Sequence, residues 1–158
     1  RVTKVAFLSA DPLGETPEAA AAREKRMILA RSDRLGQAME AELPKSALAP
    51  TSNRDAIMTL VEDMAFAMGE DVFIAQSRAL QRRRDQQKTL RRAKIPALIL
   101  AGAQDGLVPV RRQSFMAELM PTARVQVIEN AGNLLPLERP EAVSKALEGF
   151  FNGPLILR

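Results

Sequence analysis

From Pro96 onward the sequence alternates between strand and helix patterning, and this constrains the fold more than any other feature. "ALILAG", residues 97–102, is a continuous apolar run of strand length that ends in the loop "AQDGLVP". Residues 110–120 place Phe115, Met116, Leu119 and Met120 on one side of a helix. "ARVQVIE", 123–129, reads as a strand through Val125, Val127 and Ile128. A helix over 139–151, entered through Arg139-Pro140-Glu141, turns Val143, Leu147, Phe150 and Phe151 inward. Strand, helix, strand, helix with short connections predicts a parallel sheet with right-handed crossovers. A strand apolar at every position belongs where both faces are covered.

The stretch 2–9, "VTKVAFLS", predicts a third buried strand, broken by Asp11-Pro12-Leu13-Gly14. Thr16-Pro17-Glu18 then opens a helix, with Thr as N-cap and Pro at the first helical position. Helical sequence continues to about residue 42, with a break expected near Gly36. A second helix over 53–68 steps through Ile57, Leu60, Val61, Met64 and Met68 and stops at Gly69. A third runs from Glu70 to about Arg84. The expected architecture is α/β: a three-stranded parallel sheet from residues 1–14 and 94–158, with 15–93 as a helical insertion.

Composition narrows the function classes. The 158 residues contain no Cys, His, Trp or Tyr. Thiolate nucleophiles and Cys ligation are excluded, and without His ordinary zinc or haem ligation goes too; no metal and no cofactor are expected. So few rings leave little for stacking on bases. The net charge of +4 is interspersed, and its densest basic stretch, "RRRDQQKTLRR" at 82–92, reads as a solvated helix C-terminus, with a phosphate-binding stripe as the alternative. No nucleic-acid partner is expected. No apolar run approaches the roughly 18 residues of a membrane span. With no signal peptide visible, a cytoplasmic location and no membrane partner are expected.

In open parallel sheets ligands bind outside the carboxyl ends of the strands. Two loops occupy that rim: one carries Asp105 after "ALILAG", the other Asn133 after "ARVQVIE". The helical insertion leaves from the same rim after Ser9, where it would roof both. Met64, Met68 and Phe73 are candidates to line an apolar pocket there for a small apolar substrate or ligand; packing between helices is the competing reading of the same residues.

Taken together, "IPALILAGAQDGLVPV" and "ARVQVIENAGNLLPLERPEAV" resemble the C-terminal third of an α/β-hydrolase-fold protein. In that family a strand ends in Gly-x-x-Asp with Val-Pro close behind, matched here by Gly102, Asp105, Val108 and Pro109. The next strand ends in Gly-His followed by Leu-Glu-x-Pro-Glu, matched by Gly132, Asn133, Leu137, Glu138, Pro140 and Glu141. "RVTKVAFLSADPLG" resembles the strand before the family's cap, and 17–93 is similar to the cap in length and helicity. The resemblance implies that Asp105 stands at the acid position of a Ser-Asp-His triad and that Asn133 stands where the histidine should be. It also implies a nucleophile on a Gly-x-Ser-x-Gly turn upstream. No such turn occurs here: "GAQDG" and "GFFNG" have Gln104 and Phe151 at their centres.

An asparagine amide does not take up a proton near neutral pH, whereas imidazole titrates near 6.5. The reading is therefore the C-terminal portion of an α/β-hydrolase-like protein, ancestrally an ester, lactone or amide hydrolase, inactive as this chain. Residues 2–9 would pair with a missing N-terminal half or another polypeptide. The alternative is a non-catalytic binding or interaction module, a pseudohydrolase.

Overall fold

The structure, a computed structural model, describes residues 2–154. The chain divides into two compact units. The first comprises Arg1–Pro12, Ser46–Thr51 and Gln86–Arg158; the second comprises Leu13–Lys45 and Ser52–Asp85.

The first unit is built on a three-stranded sheet, β1 (Val5–Leu8), β2 (Ala97–Gly102) and β3 (Ala123–Ile128), in the order β1-β2-β3. Both pairings are parallel, with Val5 opposite Ala97 and Ala97 opposite Ala123. β2 is central and buried at every position, which is why its sequence is an unbroken apolar run. Its side chains alternate between the faces. Leu98 and Leu100 pack with Ile128, Leu135, Val143, Ala146 and Phe150. Ala97 and Ile99 pack on the other side with Leu90, Met116, Leu119 and Met120. Truncating Leu98, Ile99 or Leu100 to Ala would cost about 2–5 kcal/mol.

Among the described residues, four α-helices accompany this sheet: α5 (Gln87–Arg92), α6 (Val110–Leu119), α7 (Leu135–Glu138) and α8 (Pro140–Phe151). Lys4 closes the C-terminal end of α8, its Nζ donating to the carbonyls of Phe150 (2.9 Å), Phe151 (3.0 Å) and Gly153 (2.6 Å). The short helices α5 and α7 were not expected from periodicity, because each is too brief to show a repeat. α5 falls inside the basic stretch and puts Arg91 and Arg92 in its last turn, where the helix dipole favours them.

The second unit holds α1 (Pro17–Arg31), α2 (Leu35–Glu42), α3 (Arg54–Met68) and α4 (Glu70–Gln81). Thr16 caps α1 by accepting from Ala19 N–H at 3.2 Å. The expected break near Gly36 falls earlier, because Asp33 adopts φ 56° and ends the α1 path. Gly36 lies inside α2, where an added Cβ would come 3.1 Å from Glu62 Oε1. Gly69 separates α3 from α4 at φ 82°, a conformation suited to glycine.

The core of this unit is Met27, Ala30, Leu35, Ala38, Phe73 and Ile74. Beside it, Arg23 bridges Glu15 and Glu42 at 2.7 Å each, and Arg26 reaches Glu42 at 2.8 Å. Burial alone would lower the Arg23 pKa, but the hydrogen bonds and charges of Glu15 and Glu42 raise it. The guanidinium therefore stays charged, and its stabilising part is lost only as pH rises through the arginine range.

Among the described residues, no helix is long and apolar enough to cross a membrane, and no group of three or more His, Cys, Asp or Glu is placed to hold a metal ion.

Candidate active site

The first loop of the rim turns immediately after β2. Ala103 N–H donates to Ile128 O at 3.0 Å, and Asp105 N–H donates back to Gly102 O at 3.2 Å. Asp105 then bonds its own downstream backbone: Oδ1 accepts from Leu107 N–H at 2.9 Å and from Val108 N–H at 2.8 Å. The carboxylate is buried at 7% exposure. Pro109 follows and leads into α6, whose fully buried Gln113 donates to Val108 O at 2.8 Å and lies 3.5 Å from Asp105 Oδ2.

The second loop leaves β3 through Asn130, at φ 55°, a conformation Asn accepts more readily than most residues. The two loops are laced together: Gln104 N–H donates to Ala131 O at 2.9 Å, and Ala131 N–H donates to Gln104 Oε1 at 3.1 Å. Their approach needs glycine. A Cβ on Gly102 would lie 2.1 Å from Gly132 O. This packing brings the two rim residues singled out in the sequence into direct contact. Asn133 Nδ2 donates to Asp105 at 3.2 Å from each carboxylate oxygen.

Sequence reasoning did not foresee a third participant. Residues 46–51, expected inside the helical insertion, group with the sheet. Ala47, Leu48 and Ala49 are buried there. Asn133 N–H donates to Ala47 O at 2.8 Å. A Cβ on Gly132 would meet Ala47 O at 2.3 Å and Leu48 Cα at 2.6 Å; one on Gly106 would meet Ser46 O at 2.1 Å.

Glu138, 3% exposed, fastens this strip to the loop. Its Oε2 accepts from Ala49 N–H and Gly132 N–H, each at 2.8 Å, and its Oε1 accepts from Leu134 N–H at 3.0 Å. The sequence held Glu138 only as one letter of a motif. Nothing in local spacing signals that its carboxylate folds back to a strip 89 residues away from it.

The other expected site residues lie in the second unit. Phe73 is in the core with Met27 and Ile74. Met64 and Met68 are exposed on α3, at 51% and 48%. A cleft of about 510 Å³ between α2 and α3 is lined instead by Met39, Leu43, Met58 and Val61, with Glu40 and Glu62 among its polar residues.

Chemically, the paired loops offer a fixed carboxylate aimed at the side chain of residue 133. Such a carboxylate can orient a donor and stabilise a positive charge that develops on it. The amide at 133 fulfils the donor half, but it cannot accept and relay a proton.

No family model matches the chain. A protein named as a carbamate hydrolase, RutD of Pseudomonas savastanoi pv. phaseolicola, is 31% identical over 97 residues, which are 59% of this chain and 37% of that protein. Among solved structures, an esterase from Thermogutta terrifontis matches with a TM-score of 0.87 at 22% identity, over 96% of this chain and 56% of the esterase. The enol-lactonase of Burkholderia xenovorans LB400 gives 0.82 at 19% identity, over 97% and 57%. A bromoperoxidase of Bacillus anthracis gives 0.78 at 22% identity, over 97% and 59%. The chain spans a little over half the length of these structures and well under half of RutD.

Proposed function

We propose that this chain, which has the α/β-hydrolase fold, carries the acid and histidine positions of a Ser-Asp-His hydrolase, with the histidine position occupied by Asn133. In this reading Asp105 is the carboxylate that would hold an imidazole in its working orientation. Asn133 takes the donor's place and leaves the chain without a proton carrier. The observation that carries the reading is the contact of Asn133 Nδ2 with both oxygens of Asp105 at 3.2 Å. The ancestral substrates are esters, lactones or amides; similar proteins named as an esterase, an enol-lactonase and a carbamate hydrolase support the ester and lactone part of that range.

The chain alone is inactive in such hydrolysis. It contains no Gly-x-Ser-x-Gly turn to expose a nucleophile. Without the general base, a triad loses several orders of magnitude in rate. A role as a small-molecule-binding pseudohydrolase is the second reading. It is favoured by the amide at 133, which satisfies the carboxylate while offering no base.

The test is a colorimetric ester assay on this chain and on the longest polypeptide that contains it, each beside its Asn133→His variant. The reading expects no turnover above buffer for this chain in either form. It expects turnover to appear with Asn133→His where a Gly-x-Ser-x-Gly turn is present. Full turnover with Asn133 in place would refute it. Failure of the histidine variant to gain activity beside an intact turn would favour the binding module.

A further inference from the structure

We propose that Glu138 is the positioning residue of this site: its carboxylate ties residues 46–49 to the loop of residue 133 and thereby sets the side chain at 133 against Asp105. The inference rests on the reading of Asp105 and Asn133 given above.

Three observations carry it. First, one buried carboxylate accepts three backbone N–H groups from two segments distant in sequence: Ala49 on one side, Gly132 and Leu134 on the other. Those two loop residues flank position 133 directly, so the carboxylate grips the backbone on both sides of it. Second, the grip is closed from the strip's side, because Ala47 O accepts from the N–H of Asn133 itself at 2.8 Å. Third, the fit leaves no slack. The strip backbone lies where a Cβ on Gly132 would stand, within 2.3 Å. Residue 133 is thus held by its own amide and by both neighbours, and only its side chain is left to choose a direction.

Charge matters more than shape in this arrangement. Hydrogen bonds to an ionised acceptor are shorter and about twice as strong as neutral ones. A glutamine at 138 would have one oxygen for three donors, and its NH₂ would face at least one backbone N–H. The strip or the loop would then shift, and a shift of either moves residue 133 relative to Asp105, which is anchored separately by Leu107 and Val108.

The test uses an imidazole as reporter. The chain has no histidine, so Asn133→His introduces a single imidazole with one set of NMR signals. Its pKa is read by titration in Asn133→His, in Asn133→His with Glu138→Gln, and in Asn133→His with Val143→Ala. The last is a core truncation in α8 that destabilises the same unit and removes none of the hydrogen bonds that hold the loop.

The expected result in the first protein is a pKa raised from the ordinary value of about 6.5 to about 7.5. It falls at least halfway back with Glu138→Gln and is unchanged with Val143→Ala. An equal pKa in the first two proteins overturns the positioning role, as does an equal fall in the last two. An imidazole with an ordinary pKa in Asn133→His alone overturns instead the pairing of positions 105 and 133.

If the Glu138→Gln protein does not fold, amide exchange in the unsubstituted chain decides. The N–H groups of Ala49, Gly132 and Leu134 should then exchange slowly and with one common protection. Rapid or mutually unrelated exchange contradicts the proposal.

Discussion

Gly132→Ala probes the close fit around residue 133 with one methyl group. The new Cβ would sit 2.3 Å from Ala47 O, 2.6 Å from Leu48 Cα and 2.9 Å from Ala49 N. All three atoms are backbone, so no rotamer change relieves the clash. The strip must retreat by roughly 1 Å to reach ordinary contact distances. That retreat stretches two bonds now at 2.8 Å, Asn133 N–H to Ala47 O and Ala49 N–H to Glu138, beyond useful length. The first is worth about 1 kcal/mol and the second, to a carboxylate, about 1.5–3 kcal/mol. With residual strain the total comes to about 4 kcal/mol, a large part of a typical domain's stability.

The internal control is Gly149→Ala. This glycine lies in α8, and a Cβ there meets nothing within 4 Å. Replacing glycine in a helix gains about 0.5–1 kcal/mol. Urea unfolding followed by far-UV circular dichroism measures both, and the comparison holds as long as the dependence on urea stays the same. The two substitutions should move the midpoint in opposite directions. A loss below about 1 kcal/mol for Gly132→Ala would refute the steric argument, whatever Gly149→Ala does.

Further outcomes follow from other parts of the molecule. Arg23→Lys should cost about 2 kcal/mol by urea unfolding, because an ammonium cannot keep the forked contacts of Nε and Nη2 to Glu15 while also reaching Glu42. Phe73→Ala should cost about 3 kcal/mol, whereas Met64→Gln and Met68→Gln, on an exposed face, should stay within about 0.5 kcal/mol of the parent. For Asn133→His the folded-state imidazole pKa lies above the unfolded value of about 6.5. The extra stability is therefore fully present below pH ~6.5 and is lost as pH rises through the raised value, about 1.4 kcal/mol for every tenfold gain in proton affinity on folding. Urea midpoints at about pH 5.5 and about pH 8.5, on either side of that window, check the sign relative to the parent.

The sheet was legible because burial on both faces leaves a plain mark: β2 is apolar at every position and buried at every position. The rule that ligands sit at strand ends directed attention to Asp105 and Asn133, 28 residues apart in sequence and in contact in the structure. The features that escaped notice have no local signature. The exact place of the break between α1 and α2, expected at Gly36, depends on one aspartate at positive φ, and α5 and α7 are too short to show a period. The placement of 46–51 depends on Glu138 and on two pinched glycines, Gly106 beside Ser46 and Gly132 beside Ala47 and Leu48. Each of those glycines also reads as ordinary turn chemistry, so only the fold reveals what it makes room for. Phe73 and the two methionines share an apolar character in sequence, yet one is core and two face outward.

The central claim is that the carboxylate at 105 is aimed at whatever stands at 133. Its most direct measurement is the imidazole pKa in Asn133→His with and without Asp105→Asn. A value near 7.5 that returns to about 6.5 when the carboxylate is neutralised is the predicted result. The same ordinary value in both proteins would contradict it.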